Sequence, residues 1–151
     1  MRACFTGHRE IAPQDVTAVK QALIRTIDDL VDRGITTFIT GGALGFDTLA
    51  ANAVLDVRRR RPEVRFVLAL PCENQTRGWP ADAVAEYDRI RASADFVRVL
   101  SPTYHRGCMH VRNRYMVDRS DVCICYLRTM SGGTAYTVGY AESRGLEIIR
   151  L

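Results

Sequence analysis

The chain has 151 residues and a formal net charge of +4, with 47% hydrophobic and 25% charged residues. This length predicts one compact domain, residues 1–151, with a hydrophobic core. No apolar run reaches the about 18 residues of a membrane span, and the N-terminal residues lack the apolar segment of a secretion signal. We therefore expect a cytoplasmic protein without a membrane partner. The mild positive charge is compatible with anionic ligands, including nucleic acid, but identifies none.

Strand and helix patterns alternate along the whole chain. The first helix, for example, carries Val19, Leu23 and Ile27 at helical spacing and stops at Gly34. Strands are predicted over residues 3–6, 36–40, 64–70, 95–100, 121–127 and 146–151, and helices over 13–33, 46–60, 81–93, 109–120 and 133–145. The strands are continuous apolar runs, which is typical of a parallel sheet covered on both faces. The predicted fold class is α/β: a single Rossmann-like, doubly wound domain with a mainly parallel sheet.

Ligands of an open parallel sheet bind beyond the carboxyl ends of its strands, so the residues that follow each strand are the candidates. Two of these strand-to-helix turns are rich in glycine, and backbone N–H groups at such helix starts can hold a phosphate. Neither turn reads GxGxxG or GxxxxGK[ST], which argues against an ordinary dehydrogenase or P-loop ATPase. The candidate ligand-binding residues are Gly7, His8, Arg9, Gly41, Gly42, Ala43, Gly45, Asp47, Glu73, Gln75, Trp79, Ser131, Gly132, Gly133 and Thr134.

Several of these side chains have two interpretations. Trp79 could stack on a base or pack its loop against the body, and Glu73 could bind ribose hydroxyls or be a solvated loop acid. For Arg9, phosphate pairing is favoured over a surface salt bridge. His8 is interpreted first as a hydrogen-bonded spacer and second as an acid or base. Asp47 is first an acid of the helix N-terminus and second a ligand group.

The run Arg58–Arg61 closes the second predicted helix just before Pro62. We interpret it first as a solvated last turn that complements the helix dipole, and second as a patch that contacts DNA.

The five cysteines form neither a disulfide framework nor a paired CxxC zinc site, and are expected to be buried small hydrophobes. His105, Cys108 and His110 lie close together without a fourth ligand in reach, so no metal is expected.

The turns and the later segments together resemble a known family. The motifs are "TGHR", "TGGALGFDTLAA", "PCENQTRGW", "RNRYMVDRSDVCICYL" and "SGGTAYTVGYA". They resemble the YpsA-like family of the SLOG group of Rossmann-like domains, which also contains DprA and the LOG phosphoribohydrolases. The resemblance implies a nucleotide-type ligand at the two glycine turns, such as a nucleoside phosphate, NAD or ADP-ribose. It also implies a homodimer.

The LOG pattern is only partly reproduced. Arg112, Met116 and Asp121 match its first spacing, and Gly132, Gly133 and Thr137 match its glycine turn. Tyr140 stands where the LOG catalytic glutamate belongs, and Glu142 is two residues further along the helix. The resemblance thus adds Arg112 to the candidate ligand residues and leaves Glu73, Arg112 and Glu142 as weak catalytic candidates.

Three functions remain open at this point. The first is a nucleotide-binding module, for instance a sensor of a nucleotide-derived signal. The second is a LOG-like hydrolase of nucleoside monophosphates or NAD-type ligands that uses Glu73 or Glu142. The third is DprA-like binding of single-stranded DNA through Arg58–Arg61.

Overall fold

The computed structural model describes residues 1–151 as one six-stranded parallel sheet with helices on both faces. The strands are β1 (Arg2–Gly7), β2 (Thr37–Thr40), β3 (Arg65–Leu70), β4 (Phe96–Val99), β5 (Val122–Tyr126) and β6 (Glu147–Arg150). A 3-10 turn at Pro13–Asp15 precedes the first of the helices α1 (Val16–Asp32), α2 (Phe46–Arg60), α3 (Ala81–Ser93), α4 (Cys108–Asp118) and α5 (Gly133–Ser143). The α/β fold class and the alternation of elements are confirmed. No helix is both long and apolar enough to cross a membrane.

The two faces of the sheet are packed unequally. Helices α1, α2 and α3 cover one face over a core of 25 buried residues, in which Phe5, Phe38 and Phe66 come from the strands. Helices α4 and α5 cover the other face over a cluster of only 7 buried residues, which includes Cys4 and Cys123. The second face is therefore the thinner side of the molecule. All five cysteines are free and buried, as predicted.

The strand order is β4-β3-β2-β1-β5-β6. From β1 the chain moves outward through β2 and β3 to β4, and then crosses back through α4 to β5 on the other side of β1. The loops after β1 and β5 consequently diverge above the sheet, and an open α/β sheet has its ligand crevice at such a switch point.

Candidate functional site

A cavity of about 250 Å³ lies at this switch point, and we call it the switch-point pocket. Its walls come from the loops after β1 and β2, from α4 and from the start of α5. The lining residues are Phe5, Thr6, Gly7, His8, Arg9, Ala43, Asp47, Met109, Arg112, Asn113, Met116, Gly133 and Thr134. Both glycine turns reach this one cavity, as the sequence predicted.

Arg112 is the buried cation of the pocket. It projects from α4 and is only 4% exposed. Its Nε donates to Asn113 Oδ1 at 2.8 Å and its Nη1 donates to the backbone oxygen of Gly41, but no carboxylate oxygen lies within 4.0 Å of it. Burial lowers the pKa of Arg112, because the charged form is poorly solvated there. Asp47 attracts Arg112 electrostatically but forms no ion pair with it, so the buried guanidinium favours an anionic ligand.

Asp47 lies in the first turn of α2 and is 7% exposed. Its Oδ2 accepts a hydrogen bond from Ala43 N at 3.1 Å, which ties the glycine turn to the helix. Burial raises the pKa of the Asp47 carboxyl, and the nearby Arg112 guanidinium opposes this rise. The side chain thus serves the turn first, as interpreted from the sequence, while it also lines the pocket.

Two positions of the β2–α2 turn require glycine, because neighbouring atoms lie too close to leave room for a Cβ. A Cβ at Gly41 would lie 2.5 Å from Arg112 Nη1 and 2.9 Å from Asp47 Oδ2. Gly45 has φ +75°, and a Cβ there would collide with the backbone oxygen of Arg9. The absence of a side chain at Gly41 therefore makes room for the two charged groups Arg112 and Asp47, and at Gly45 for the backbone of Arg9.

The turn before α5 is different, because nothing lies within 4 Å of where a Cβ at Gly132 or Gly133 would stand. No side chain caps α5, and Tyr136 N is the first amide to bond back, to Gly132 O at 3.0 Å. Gly133 and Thr134, which line the pocket, belong to the uncapped first turn. Such a turn presents N–H groups and the positive end of the helix dipole to an anion.

His8 and Arg9 follow β1 and have different roles. His8 Nε2 accepts a hydrogen bond from Arg128 N at 2.8 Å, so His8 connects the loops after β1 and β5. This contact matches the interpretation of His8 as a spacer. Arg9 is exposed, makes no ion pair, and lines the switch-point pocket and two neighbouring hollows.

A second cavity of about 280 Å³, the side hollow, joins the switch-point pocket at Arg9 and Met109. The rest of its lining is Asn74, Gln75, Arg77, Trp79 and Tyr104. Gln75 is 7% exposed, and neither its amide oxygen nor its amide nitrogen has a hydrogen-bond partner. Trp79 packs edge-on against Tyr87 at 5.7 Å, yet it also contributes to the wall of the hollow.

The remaining predicted ligand residues lie around the two cavities. Gly42, with φ +71°, packs against Leu70 beneath the turn, and Gly45 lines a groove next to Arg9. Ser131 and Gly132 are exposed in the loop before α5 and line neither cavity.

The two glutamates proposed for catalysis are not in the pocket. Glu73 pairs with Arg91 at 2.8 Å, and Glu142 pairs with Arg150 at 2.7 Å. Both carboxylates are about half exposed, and neither lines either cavity. Tyr140, at the position of the LOG glutamate, donates to Asp118 Oδ1 at 2.7 Å. The carboxylate that the fold does bring to the pocket is Asp47.

The arginine run at the end of α2 is neutralised by acids. Arg58 pairs with Asp95 at 2.8 Å, and Arg61 pairs with Asp32 at 2.7 Å. The two arginines between them also make ion pairs, with Asp28 and Asp56. Because α2 begins at the carboxyl edge of the sheet and runs back, its last turn lies far from the switch-point pocket. The first interpretation, a helix end, describes this run better than a free DNA-binding patch.

Three lining residues on α4, Met109, Asn113 and Met116, were not among the predicted ligand residues. Met109 and Asn113 share a helix face with Arg112 and Met116, since residues three and four apart are neighbours. Helical spacing from Arg112 was the signal that could have found them.

The YspA SLOG family model matches residues 5–145 of the chain. The chain belongs to this family. A UPF0398 protein of Halalkalibacterium halodurans is 26% identical over 132 residues, which cover 85% of this chain and 70% of the relative. The resemblance to the YpsA-like group is thereby confirmed.

Two solved structures share the fold of this SLOG chain. DNA processing protein A (DprA) from Streptococcus pneumoniae superposes with a TM-score of 0.71 at 17% identity, over 99% of this chain and 49% of that chain. DprA from Helicobacter pylori, described for its single-stranded DNA binding mode, gives 0.68 at 21% identity, over 99% and 64%. This SLOG chain spans about half of the first DprA and under two thirds of the second. At these identities the likeness shows the fold alone.

Proposed function

We propose that the protein binds a nucleotide-type ligand, with a phosphate in the switch-point pocket. The observation that carries this proposal is Arg112, a buried guanidinium with no carboxylate partner that lines the same cavity as the uncapped first turn of α5. A phosphate between them would satisfy both the guanidinium and the N–H groups of Gly133 and Thr134.

We expect the nucleoside part of the ligand to lie in the side hollow. It adjoins the pocket at Arg9 and offers Trp79 and Tyr104 for stacking. Nucleoside phosphates, NAD and ADP-ribose all combine a phosphate with a flat aromatic base that can stack on such rings.

Binding is favoured over cleavage of the ligand. N-glycosidic cleavage needs a carboxylate free to stabilise positive charge at the sugar and to activate water. The glutamates considered for that role are paired with Arg91 and Arg150 outside the pocket, and the Asp47 carboxylate is held by Ala43 N. A module that senses a nucleotide-type ligand fits these contacts best.

The proposal is tested by thermal-shift titration with AMP, ADP, NAD and ADP-ribose. A ligand at one hundred times its Kd should stabilise the wild type by about 2.7 kcal/mol, which raises Tm by about 5–10 °C. Gly133→Asp should abolish the shift, because it places a carboxylate in the wall of the cavity that Arg112 also lines, where it would repel a phosphate. The helix itself should tolerate the substitution, because an acidic residue in the first turn is favourable to the helix dipole. Gly139→Asp, on an exposed turn of the same helix, is the matched control and should keep the shift.

A second pair of variants tests the cation itself. Arg112→Met should lose the ligand-induced shift, whereas Arg114→Met on the same helix should retain it. No shift of the wild type with any of the four ligands, or equal shifts for all variants, would contradict the proposal.

A further inference from the structure

Part of the thinner face of the sheet has no helix over it, and this part carries a hollow of about 870 Å³. The hollow lies over β2, β3 and β4 and is closed on one side by Tyr115 of α4 and by Arg119, which directly follows that helix. We call it the open sheet face. Arg2 and Arg65 line it from the first residues of β1 and β3, so it lies toward the end of the sheet opposite the switch-point pocket.

The floor of the open sheet face is an apolar row that ends in an exposed ring. Ile39 pairs in register with Val67, and Val67 pairs with Phe96, so the three side chains stand side by side on one face. Phe96 is 57% exposed although it belongs to a strand. Together with Tyr115, it gives this surface two aromatic rings that are not fully buried.

The rim of the open sheet face is cationic. Arg2, Arg65 and Arg119 line it, and none of them makes an ion pair within 4.0 Å. Arg65 donates to the backbone oxygen of Pro62 at 2.9 Å, and the Arg119 guanidinium lies 3.7 Å from the centre of the Tyr115 ring. These contacts leave the three arginines without a direct ion pair, although the carboxylate of Asp95 interacts with the charge of Arg65 at longer range.

A further arginine next to the open sheet face adds to its positive charge. Arg98 stands two residues after Phe96 on the same side of β4, and it too is exposed without an ion pair. Asp95 is the acid that lines the hollow, but it already pairs with Arg58 at 2.8 Å and accepts from Phe66 N at 2.8 Å.

We propose that the open sheet face binds single-stranded nucleic acid, with bases stacked on Phe96 and Tyr115 and phosphates paired with the arginines. Exposed aromatics beside unpaired cations are the combination that holds single strands without sequence preference. Arg2 and Arg65 stand in one row, two strand spacings or roughly 10 Å apart, so a chain of phosphates matches them better than a single phosphate.

A second copy of this chain is a poorer occupant. A two-fold interface places the same patch on both subunits, so the unpaired arginines of each would face those of the other. This inference goes beyond the nucleotide site, because the two surfaces share no lining residue.

The test is fluorescence anisotropy with labelled 15-nucleotide oligo-dT and oligo-U, from 50 to 300 mM NaCl. Phe96→Ala should weaken binding about ten-fold, because it removes a ring on which a base stacks. Arg65→Ala combined with Arg119→Ala should weaken binding further and flatten the salt dependence, by roughly 0.7 in log–log slope for each phosphate that is no longer neutralised. Arg59→Ala, which removes a 76% exposed arginine elsewhere, is the matched control and should leave the affinity unchanged.

Circular dichroism verifies that each variant folds, and Gly133→Asp separates the two sites. Affinity for the oligonucleotides should survive Gly133→Asp. The proposal is overturned if the wild type binds neither oligonucleotide at 50 mM salt, or if Gly133→Asp abolishes binding while Phe96→Ala does not. It is equally overturned if light scattering shows a dimer that Phe96→Ala converts to a monomer.

Discussion

At the scale of single residues, the pocket is defined by two buried opposite charges that do not touch. Arg112 and Asp47 make no ion pair within 4.0 Å, and Gly41 lies beside both of them. Asp47 bonds to Ala43 N, while Arg112 bonds to Gly41 O and Asn113. Each charge has hydrogen bonds but no direct counter-charge, which leaves the cation available to an anion from outside.

The free energy of unfolding should depend on the charge of Asp47. Because its pKa is raised on folding, ionisation disfavours the folded state, and this cost grows as pH rises above the unfolded pKa. Asp47→Asn keeps an acceptor for Ala43 N without the charge. The variant should therefore be more stable than the wild type at neutral pH, and this advantage should shrink as pH falls toward about 4, because below that pH the wild-type carboxyl is protonated in both the folded and the unfolded state. Urea unfolding at pH 7, 5 and 4 measures it, and a constant difference would contradict the assignment.

At the scale of elements, side chains from neighbouring helices hold the scaffold of the site. Asn52 of α2 donates to Glu86 of α3 at 2.9 Å, and Arg89 contacts the same carboxylate at 2.7 Å. These bonds attach α3, and with it the wall of Trp79 and Tyr87, to the helix that starts at the glycine turn. These contacts stabilise the packing of α2 against α3, and none of the three residues lines the switch-point pocket.

The hydrogen bond and ion pair with Arg89 lower the pKa of Glu86 to about 2. A lowered pKa stabilises the fold above the unfolded value, and this stability is lost as pH falls from about 4.5 toward 2. Glu86→Gln should cost about 0.5–1 kcal/mol at pH 7, a modest value because the carboxylate is partly exposed.

Thermal unfolding of the wild type and of Glu86→Gln is compared from pH 7 to pH 3. The difference between their free energies of unfolding should decrease as the pH falls. Glu10→Gln, an exposed glutamate without an ion pair, is the control. An equal cost at both ends of the pH range would count against the Asn52–Glu86–Arg89 network.

At the scale of the whole molecule, its arginines divide into two classes. Those at the end of α2 are paired with acids of α1 and of nearby loops, whereas those of the pocket and the open sheet face are not. A net charge of +4 therefore understates the local positive charge at the two proposed binding surfaces.

Arg61 belongs to the paired class, with contacts to Asp28, Asp32 and Glu63. Arg61→Ala should lower the free energy of unfolding slightly, because it removes exposed ion pairs, two of which join α1 to α2. It should leave the nucleotide-induced thermal shift and the oligonucleotide affinity unchanged. A loss of oligonucleotide affinity at unchanged stability would instead restore this helix end as a nucleic-acid contact.

Much of the fold could be predicted, since the signals are local. Predicted and observed bounds agree for α2 and α3, and differ by one to three residues for other elements such as α1 and α4. Apolar runs and helical spacing act within a few residues, so no knowledge of the tertiary structure was needed. The meeting of the two glycine turns was also predictable, because the carboxyl ends of parallel strands share one edge.

The sequence by itself determined the alternation of elements and the edge at which ligands should gather, and the family resemblance added Arg112 to the candidates. Only the tertiary structure decided which charged groups are free to act. Glu73, Glu142 and the arginines of the run Arg58–Arg61 form ion pairs, whereas Arg112 is buried with hydrogen bonds but without an ion pair. Most of those partners are brought together by the packing of elements, and no local pattern records which side chains will meet.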